Sequence, residues 1–492
     1  MKKIILLFLI FIIHYSLFIN HCKSQWSDDI RLTNAPDTSI ANNSHAKLIA
    51  SNGNMVHTVW WDKRDGNREI YYKRSTNGGV SWEQDTRLTN NTAWSWYPSI
   101  AVSGLNVHVV WMDFRDGFQE LYYKRSTDEG ITWGTDTRLT IHTTGFAASP
   151  SIAVSGQDIH VFWHDSRDGG YAEIYYKKST DAGMTWSADM RLTNDPAFSF
   201  FPSCAVIGSL LHVAWCDARN GYYQVFYKRS TDGGVNWKVD TSLTNTISNS
   251  YFNLHLSAEG SFTHVVWHDN RDGNYEIYYK RTTDGGMTWG ADTRLTNNPA
   301  SSMYPSVVVS GSNVHIAWRD DRDGNNEVYY KLSTNGGVTW GADTRLTYDP
   351  SISERPSISI SNSVLHIVWS DYRDGNYEIY YKCNPTGNLT EIKNISSQIP
   401  SEFKLEQNYP NPFNPTTKIK FSFPSDIKHE MSNVKLVIYD ITGKEVAILV
   451  NEQLQPGTYE VTFDGSNYSS GIYFYKLSTT EFTDTKRLVL LK

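Results

Sequence analysis

A histidine followed three positions later by a tryptophan recurs seven times along this chain of 492 residues. The histidines are His57, His108, His160, His212, His264, His315 and His366, separated by 51, 52, 52, 52, 51 and 51 residues. Their tryptophans are Trp60, Trp111, Trp163, Trp215, Trp267, Trp318 and Trp369. So constant a period restricts the chain to repeat architectures. Each copy must be one supersecondary unit that buries its apolar face only against its neighbours.

Every unit reads as four short strands, as in "PSIAVSG" (98–104), "VHVVWMD" (107–113), "ELYYKRS" (120–126) and "DTRLT" (136–140). An Arg-Asp-Gly turn separates the second strand from the third, and Asp-Gly supplies the positive φ that a tight hairpin requires. Four antiparallel strands repeated seven times predict an all-β fold, a seven-bladed β-propeller with four-stranded blades. The last unit runs into "KCNPTGN" (382–388) with no RLT strand after it, whereas "DDIRLTN" (28–34) precedes the first unit. The N-terminal strand is therefore expected to close the last blade; the alternative is closure by "LTEIKNIS" (389–396).

Between the third and fourth strands stands Ser-Thr-Asp-x-Gly-x-Thr-Trp, as at Ser126 to Trp133. The motif ends at Trp82, Trp133, Trp186, Trp237, Trp289 and Trp340, with Asn77 and Asn335 replacing the Asp in two copies. A short acceptor side chain caps the amides of such a turn, Gly takes its strained φ, and Trp pins the hairpin into the core. The motif resembles the Asp-box (BNR) repeat of the sialidase superfamily, and the resemblance covers most of residues 25–384. It implies the propeller fold and raises the expectation of glycoside hydrolysis. In those enzymes an arginine cluster, a Tyr–Glu nucleophilic pair, an acid Asp and an Arg-Ile-Pro segment serve a propeller of six blades. No Arg-Ile-Pro occurs here, Arg31 belongs to the repeated RLT strand, and no singular Tyr/Glu/Arg set stands out from the periodic background. The resemblance carries the fold and assigns no catalytic residue.

The charged stretch "RDGNYEIYYKRTTDGGMTW" (271–289) poses the same question in local form. Asp113, Arg115, Asp116 and Glu120 have equivalents in nearly every blade, and chemistry at one ring centre needs a single nucleophile and a single acid, each in its own environment. A residue present seven times is used seven times, so these groups read as scaffold. The spacing Asp-x-Arg-Asp-Gly-x-x-Glu offers oxygen ligands of the kind Ca²⁺ takes. An Arg between them opposes a cation, so no metal is expected. The seven histidines lie at one interior position of an apolar strand and read as hydrogen-bonded core residues. No cofactor is expected.

At the N-terminus, Lys2 and Lys3 precede the apolar run Ile4 to Ile13, and Cys22 and Ser24 are small residues at −3 and −1 of a cut before Gln25. This is the pattern of a secretory signal peptide over residues 1–24; the alternative is an uncleaved anchor. The Cys22 surroundings, Asn20 and His21, do not suit lipid attachment. No other segment is long and apolar enough to span a bilayer, so the mature chain is expected without a transmembrane segment. A net charge of −7 lacks the basic footprint of a nucleic-acid partner, and four cysteines in this length do not form a disulfide framework.

The repeats stop by Cys383. Residues 385–401 read as a polar linker, and 402–492 as a small Ig-like β-sandwich of alternating strands broken by the turns at Thr442–Gly443 and Pro456–Gly457. The segments "FKLEQNYPNPFNPTTKIKFSFP" (403–424), "VKLVIYDITGKEVAIL" (434–449) and "SGIYFYKLSTTEFTDTKRLVLLK" (470–492) resemble the type A sorting domain of the type IX secretion system of Bacteroidota and relatives. That resemblance implies the secretion machinery as a partner and delivery to the medium or the outer cell surface. A generic Ig-like adhesion module is the alternative.

Strand direction puts the inter-blade loops on the face that carries the Arg-Asp-Gly hairpins, opposite the Asp-boxes. These loops are where otherwise matching copies disagree, as expected of a surface freed from scaffold demands. Their side chains Trp94, Trp96, Tyr97, Phe146, Phe198, Phe200, Phe201, Tyr251, Phe252 and Tyr304 make an aromatic mouth. Such rings can stack on sugar faces while their edges stay wet. Arg355, the one cation beside the repeated Pro-Ser, suits an acidic group on the ligand. The expected function is a monomeric, exported binding module for glycan or another extracellular polymer. A sialidase-type hydrolase and a structural or adhesion scaffold are the alternatives.

Overall fold

The computed structural model describes residues 26–41, 46–245, 253–384, 393–396, 400–424, 432–443, 445–454, 456–465, 468–479 and 482–491. The signal segment 1–24 and the aromatics Tyr251 and Phe252 lie outside the described residues. Among the described residues every regular element is a strand.

Blade 2 shows how a repeat folds. Ser95–Ser103, Asn106–Asp113, Glu120–Ser126 and Thr137–Arg138 pair in chain order, with Ala101 opposite His108, Asp113 opposite Glu120 and Tyr123 opposite Thr137. The second strand is buried along its whole length except at its first residue, because another blade covers each of its faces; this explains its near-continuous apolar sequence. The two-residue fourth strand lies at the half-exposed rim. Seven such sheets occur between residues 30 and 384; in blade 1, Ser39–Ile40 and Ile49–Asn52 both pair with Met55–Asp62. First strands pack on one another in sequence, and that of blade 7, Ser353–Ser361, packs on that of blade 1. The ring is closed.

Closure uses the N-terminus. Ile30 and Arg31 pair with Tyr381 and Tyr380, and the Ser27 amide donates to the Cys383 carbonyl at 2.8 Å. The replacement extends further than the strand. Trp26, Asp29, Arg31, Leu32 and Thr33 repeat the spacing of Trp133, Asp136, Arg138, Leu139 and Thr140. Asp29 takes Arg373 and Lys382, each at 2.8 Å, as Asp136 takes Arg115 and Lys124 at 2.6 and 2.9 Å. Trp26 meets the Tyr330 ring edge-on at 5.0 Å, so the blade without an Asp-box borrows its tryptophan from the start of the chain. The alternative closing segment goes elsewhere. Lys393–Ser396, inside the stretch read as linker, pairs with Gly457–Asp464 in the C-terminal domain.

One contact repeats at six of the seven blade junctions. His108 Nδ1 lies 2.7 Å from the Tyr123 hydroxyl, and the Tyr123 ring meets Trp186 of blade 3 edge-on at 5.0 Å. A Cβ on Gly183 would come within 2.1 Å of that hydroxyl, so only glycine admits the tyrosine. Tyr72, Tyr176, Tyr227, Tyr279 and Tyr381 do the same to the Asp-box Gly and Trp of the next blade, and Tyr381 of blade 7 does so to blade 1. Burial keeps the histidines neutral, pushing His57, His108, His160, His212 and His264 down to about 4 and His315 and His366 to about 3.

The C-terminal domain is two antiparallel four-stranded sheets. They share one core that includes Ile419, Phe421 and Val461 from one sheet and Leu436, Tyr475 and Leu488 from the other.

Deleting residues 25–34 removes both the fourth strand of blade 7 and its tryptophan, so the melting temperature of the propeller should fall sharply. Trp26→Ala alone should cost ~3–5 kcal/mol, the usual effect of emptying a buried tryptophan site. Thermal and denaturant melts measure both; unchanged melting of the truncation would exclude closure by this strand.

Candidate functional site: the mouth of the propeller

The repeated charges turn inward. Asp113, fully buried, accepts from Trp111 Nε1 at 2.9 Å, Ser95 Oγ at 2.8 Å, the Arg115 amide at 2.9 Å and Arg115 Nη2 at 2.6 Å. The Arg115 guanidinium lies 4.2 Å over the Tyr122 ring and reaches Asp136, and Tyr122 donates to Asp116. Glu120 takes Arg138 at 2.7 Å and Thr140 at 2.5 Å. The Asp–Arg–Asp links hold hairpin to strand in each blade, the Glu–Arg pair recurs in every blade but the fourth, where Gln224 and Ser242 stand, and their oxygens face protein donors. Among the described residues no three His, Cys, Asp or Glu side chains group as a metal ion would need.

One member departs from the pattern. His142 lies between blades 2 and 3, its side chain fully buried, with Nδ1 2.7 Å from Glu120 and Nε2 2.9 Å from Asp165. Burial opposes its charge, but the two carboxylates outweigh burial and raise it to about 9. It is an imidazolium strut between blades.

The face opposite the Asp-boxes is where variable side chains gather. Its loops are stitched together: the Ser95 amide donates to Arg68 of the preceding blade's hairpin at 2.8 Å, and the Phe114 amide to the Trp94 carbonyl at 3.1 Å. Equivalent bonds join Ser199 to Ala172 and Ala218 to Phe198. On the other face the Asp-box turns bond to the first hairpins, as Glu129 N–H does to Leu105 O at 2.8 Å.

At the start of five first strands stands a bulge at x-Pro-Ser. Tyr97, Ser149, Phe201, Tyr304 and Arg355 all take left-handed φ, between 52° and 58°, and the register shifts there in each blade. Proline disfavours helical conformations in the residue before it, and a left-handed non-glycine residue costs ~1–3 kcal/mol. The scaffold repeats this strain while leaving the side chain free to differ. A bulge re-aims the residue it carries, here toward the mouth.

The sequence-predicted residues fall into separate groups. Trp94, 50% exposed, lies 5.9 Å from Trp96, which stacks at 4.9 Å on Tyr97. Phe114 closes on both tryptophans at 6.3 and 5.8 Å. Arg68 from the blade 1 hairpin lies 4.9, 4.8 and 4.3 Å over Trp61, Trp94 and Trp96. Burial pushes this guanidinium below its ordinary value, and its Nε and Nη1 have no acceptor among the described residues. Between blades 3 and 4, Phe198 stacks on Phe200 at 4.9 Å and meets Tyr171 edge-on at 4.8 Å. His164, held neutral by burial at about 4, contacts Phe146, Phe200 and Phe201 at 5.8, 5.3 and 5.5 Å. Tyr304 packs on His268 at 5.7 Å beneath Arg319 at 5.2 Å. Arg355 turns its Nε to 3.5 Å from its neighbour Glu354, so part of its charge is met within the chain. Glu354, buried, also interacts with the Tyr377 hydroxyl; burial first and then this carboxylate push that phenol up.

Arg68, Phe114, Tyr171, His164, Arg319, Glu354 and Tyr377 were not picked out from the sequence. Arg68, Phe114, Tyr171 and Tyr377 lie in the Arg-Asp-Gly hairpins, whose variable positions yield to the same comparison between copies that exposed the loops.

Three comparisons bear on this architecture. Residues 407–491 match the family described as the Secretion system C-terminal sorting domain. A sialidase of Bacteroides fragilis (strain YCH46) is 25% identical over 276 residues, covering 46% of this chain and 48% of the relative. This chain thus matches about half the length of that curated relative. An ulvan lyase of polysaccharide lyase family PL25 superposes with a TM-score of 0.51 at 12% identity, over 71% of this chain and 94% of that one; it shows a shared fold alone. The C-terminal segment is a type IX secretion sorting domain, and the repeats form a sialidase-like β-propeller.

The His142 strut makes stability pH-dependent. Its folded value of about 9 exceeds the ordinary 6.5, so its contribution is complete below pH 6.5 and lost as pH rises through 9. Wild-type melting temperature should decline over that window. His142→Asn, which restores the residue found at Asn91 in blade 1, should lower stability by up to ~3 kcal/mol near pH 6 and flatten the alkaline decline.

Proposed function

We propose that this type IX-secreted propeller is a binding module for a glycan or another extracellular polymer, held at its mouth by aromatic side chains. The domain plan that goes with it is a signal peptide over 1–24, the propeller over 25–384 and the sorting domain over 402–492, with strand 393–396 joined to the latter. The Arg68 platform carries this reading. An arginine laid across Trp61, Trp94 and Trp96, beside a tryptophan half in solvent, joins a flat stacking surface to a positive charge. That combination suits a pyranose ring with hydroxyl or acidic substituents. Phe198 and Phe200 supply a second surface two junctions away, spacing that favours an extended ligand over a single sugar. Arg355 and Arg319 would meet acidic substituents at the blade 6 and 7 edge.

The second reading, a sialidase-type hydrolase, has one geometric foothold. Tyr377 beside Glu354 and Arg355 is a Tyr–Glu pair with an arginine next to it, though Glu354 is largely occluded. Burial and the carboxylate raise the Tyr377 phenol and disfavour the phenolate a nucleophile needs. This favours binding over turnover.

A glycan array with the mature propeller should return at least one polymer bound without released product. Trp94→Ala with Trp96→Ala should then weaken that ligand by about 100-fold, on the order of 1–3 kcal/mol per lost stacking contact, in a variant that melts like wild type. Undiminished binding moves the site elsewhere, and released sugar that depends on Tyr377 would favour the hydrolase.

In the native host, removing residues 402–492 should leave the propeller in the periplasm. Normal levels of the truncated chain in the medium or on the surface would refute the sorting role.

A further inference from the structure

Around the propeller axis the first strands set one polar residue each at a common level. Five blades use serine there, blade 5 uses His255, and blade 1 uses Lys47. Hydrogen bonds between blades fix the level. Leu256 N–H donates to Ser203 Oγ at 3.0 Å, Val307 N–H to His255 Nδ1 at 3.3 Å, Ile358 N–H to Ser306 Oγ at 3.3 Å and Leu48 N–H to Ser357 Oγ at 3.1 Å. In these four blades the side chain accepts from the backbone of the next, while Ser151 Oγ lies 3.2 Å from Cys204 Sγ of blade 4. A lysine ammonium cannot accept, so Ile100 N–H turns to the Lys47 carbonyl at 3.0 Å instead. The ammonium is left over, with no hydrogen bond or ion pair among the described residues.

Two more donors at this level are unpaired. Because His255 Nδ1 accepts, the neutral ring carries its proton on Nε2. His255 is 3% exposed and its Nε2 has no partner; Ser99 is 0% exposed and its hydroxyl has none either. An unpaired buried donor is destabilising, and no carboxylate stands at the corresponding position of any blade. The Lys47 charge acts on His255 of blade 5 and on the Cys204 thiol of blade 4, across the axis from its own blade. The ammonium therefore projects into the channel. Burial is the main influence on all three groups: it lowers Lys47, lowers His255 to about 3 and raises Cys204 to about 11.

We propose that the channel enclosed by the first strands binds a small oxyanion, a carboxylate, sulfate or phosphate group, through the Lys47 ammonium with His255 Nε2–H and the Ser99 hydroxyl as further donors. The anion supplies the negative charge that the level lacks and accepts from donors with nothing else to meet. Neutral His255 serves as a donor throughout the physiological pH range.

Sulfate, phosphate and acetate, each titrated into the full-length chain at constant ionic strength, test the site by calorimetry and thermal melting. At least one should give saturable heat and a saturable rise in melting temperature, and the order among the three identifies the preferred group. Lys47→Met should fold, since the half-buried Lys47 has no ion pair to lose among the described residues and methionine matches its length. It should weaken binding by about tenfold or more (~1.4 kcal/mol), while Lys47→Arg keeps it. The Trp94/Trp96 double variant should bind the anion like wild type, which separates this site from the mouth. No saturable response to any of the three, or an equal response in folded Lys47→Met, overturns the proposal.

Discussion

The structure depends on one contact made at six of the seven blade junctions: a tyrosine hydroxyl held by its own blade's histidine and pressed onto the neighbour's glycine beneath an edge-on tryptophan. A blade alone is a small four-stranded sheet with both faces apolar, which is not stable in water. Tyr123 on Gly183 and Trp186 gives blade 2 a specific seat on blade 3. The position therefore has to be tyrosine on one side and glycine on the other. Its histidine must stay neutral, which burial ensures. The seventh junction sets the hardest condition, because a ring has to close with chain ends. Trp26 meets it by standing where no Asp-box tryptophan exists.

Given that lock, the charges find their role. Asp113, Arg115 and Asp136 form a run of buried and half-buried pairs that ties each hairpin to its outer strand. Such pairs add little stability on their own against an apolar alternative, but breaking one leaves a buried charge unmet. They act as register marks. His142 shows how far the scheme bends: where other blades have Asn, Asp, Thr or Ala, an imidazolium joins two carboxylates of different blades and holds them together.

The strained Pro-Ser bulges connect scaffold to function. Their left-handed residues are a cost every affected blade bears, yet the identity of the residue is free to vary: Tyr at 97 and 304, Ser at 149, Phe at 201 and Arg at 355. Backbone is conserved between copies while chemistry varies. Together with the hairpin residues stitched to them, these positions make the mouth a surface whose chemistry can change without touching the lock.

The sequence by itself determined the period, the four strands of each blade and the sorting domain, because each is a local pattern repeated or matched in order; between its two candidates for closing the ring, the pairing of Ile30 and Arg31 with Tyr381 and Tyr380 decided. It also separated scaffold from candidate site, since seven copies expose what varies. Only the tertiary structure decided which variable residues meet. Arg68 and Trp96 are 28 positions apart and on different blades, yet the ring brings them within 4.3 Å. Trp26, two residues beyond the leader and outside any motif, gained its role once its ring was found on Tyr330. Glu354 and Tyr377, 23 positions apart, were not linked until the fold set them side by side. Lys47, in a sequence position with no motif, became notable once six other blades were seen to place an acceptor at its level. Repetition writes the backbone into the sequence, but contacts between unlike copies depend on the ring's curvature, which no single repeat contains.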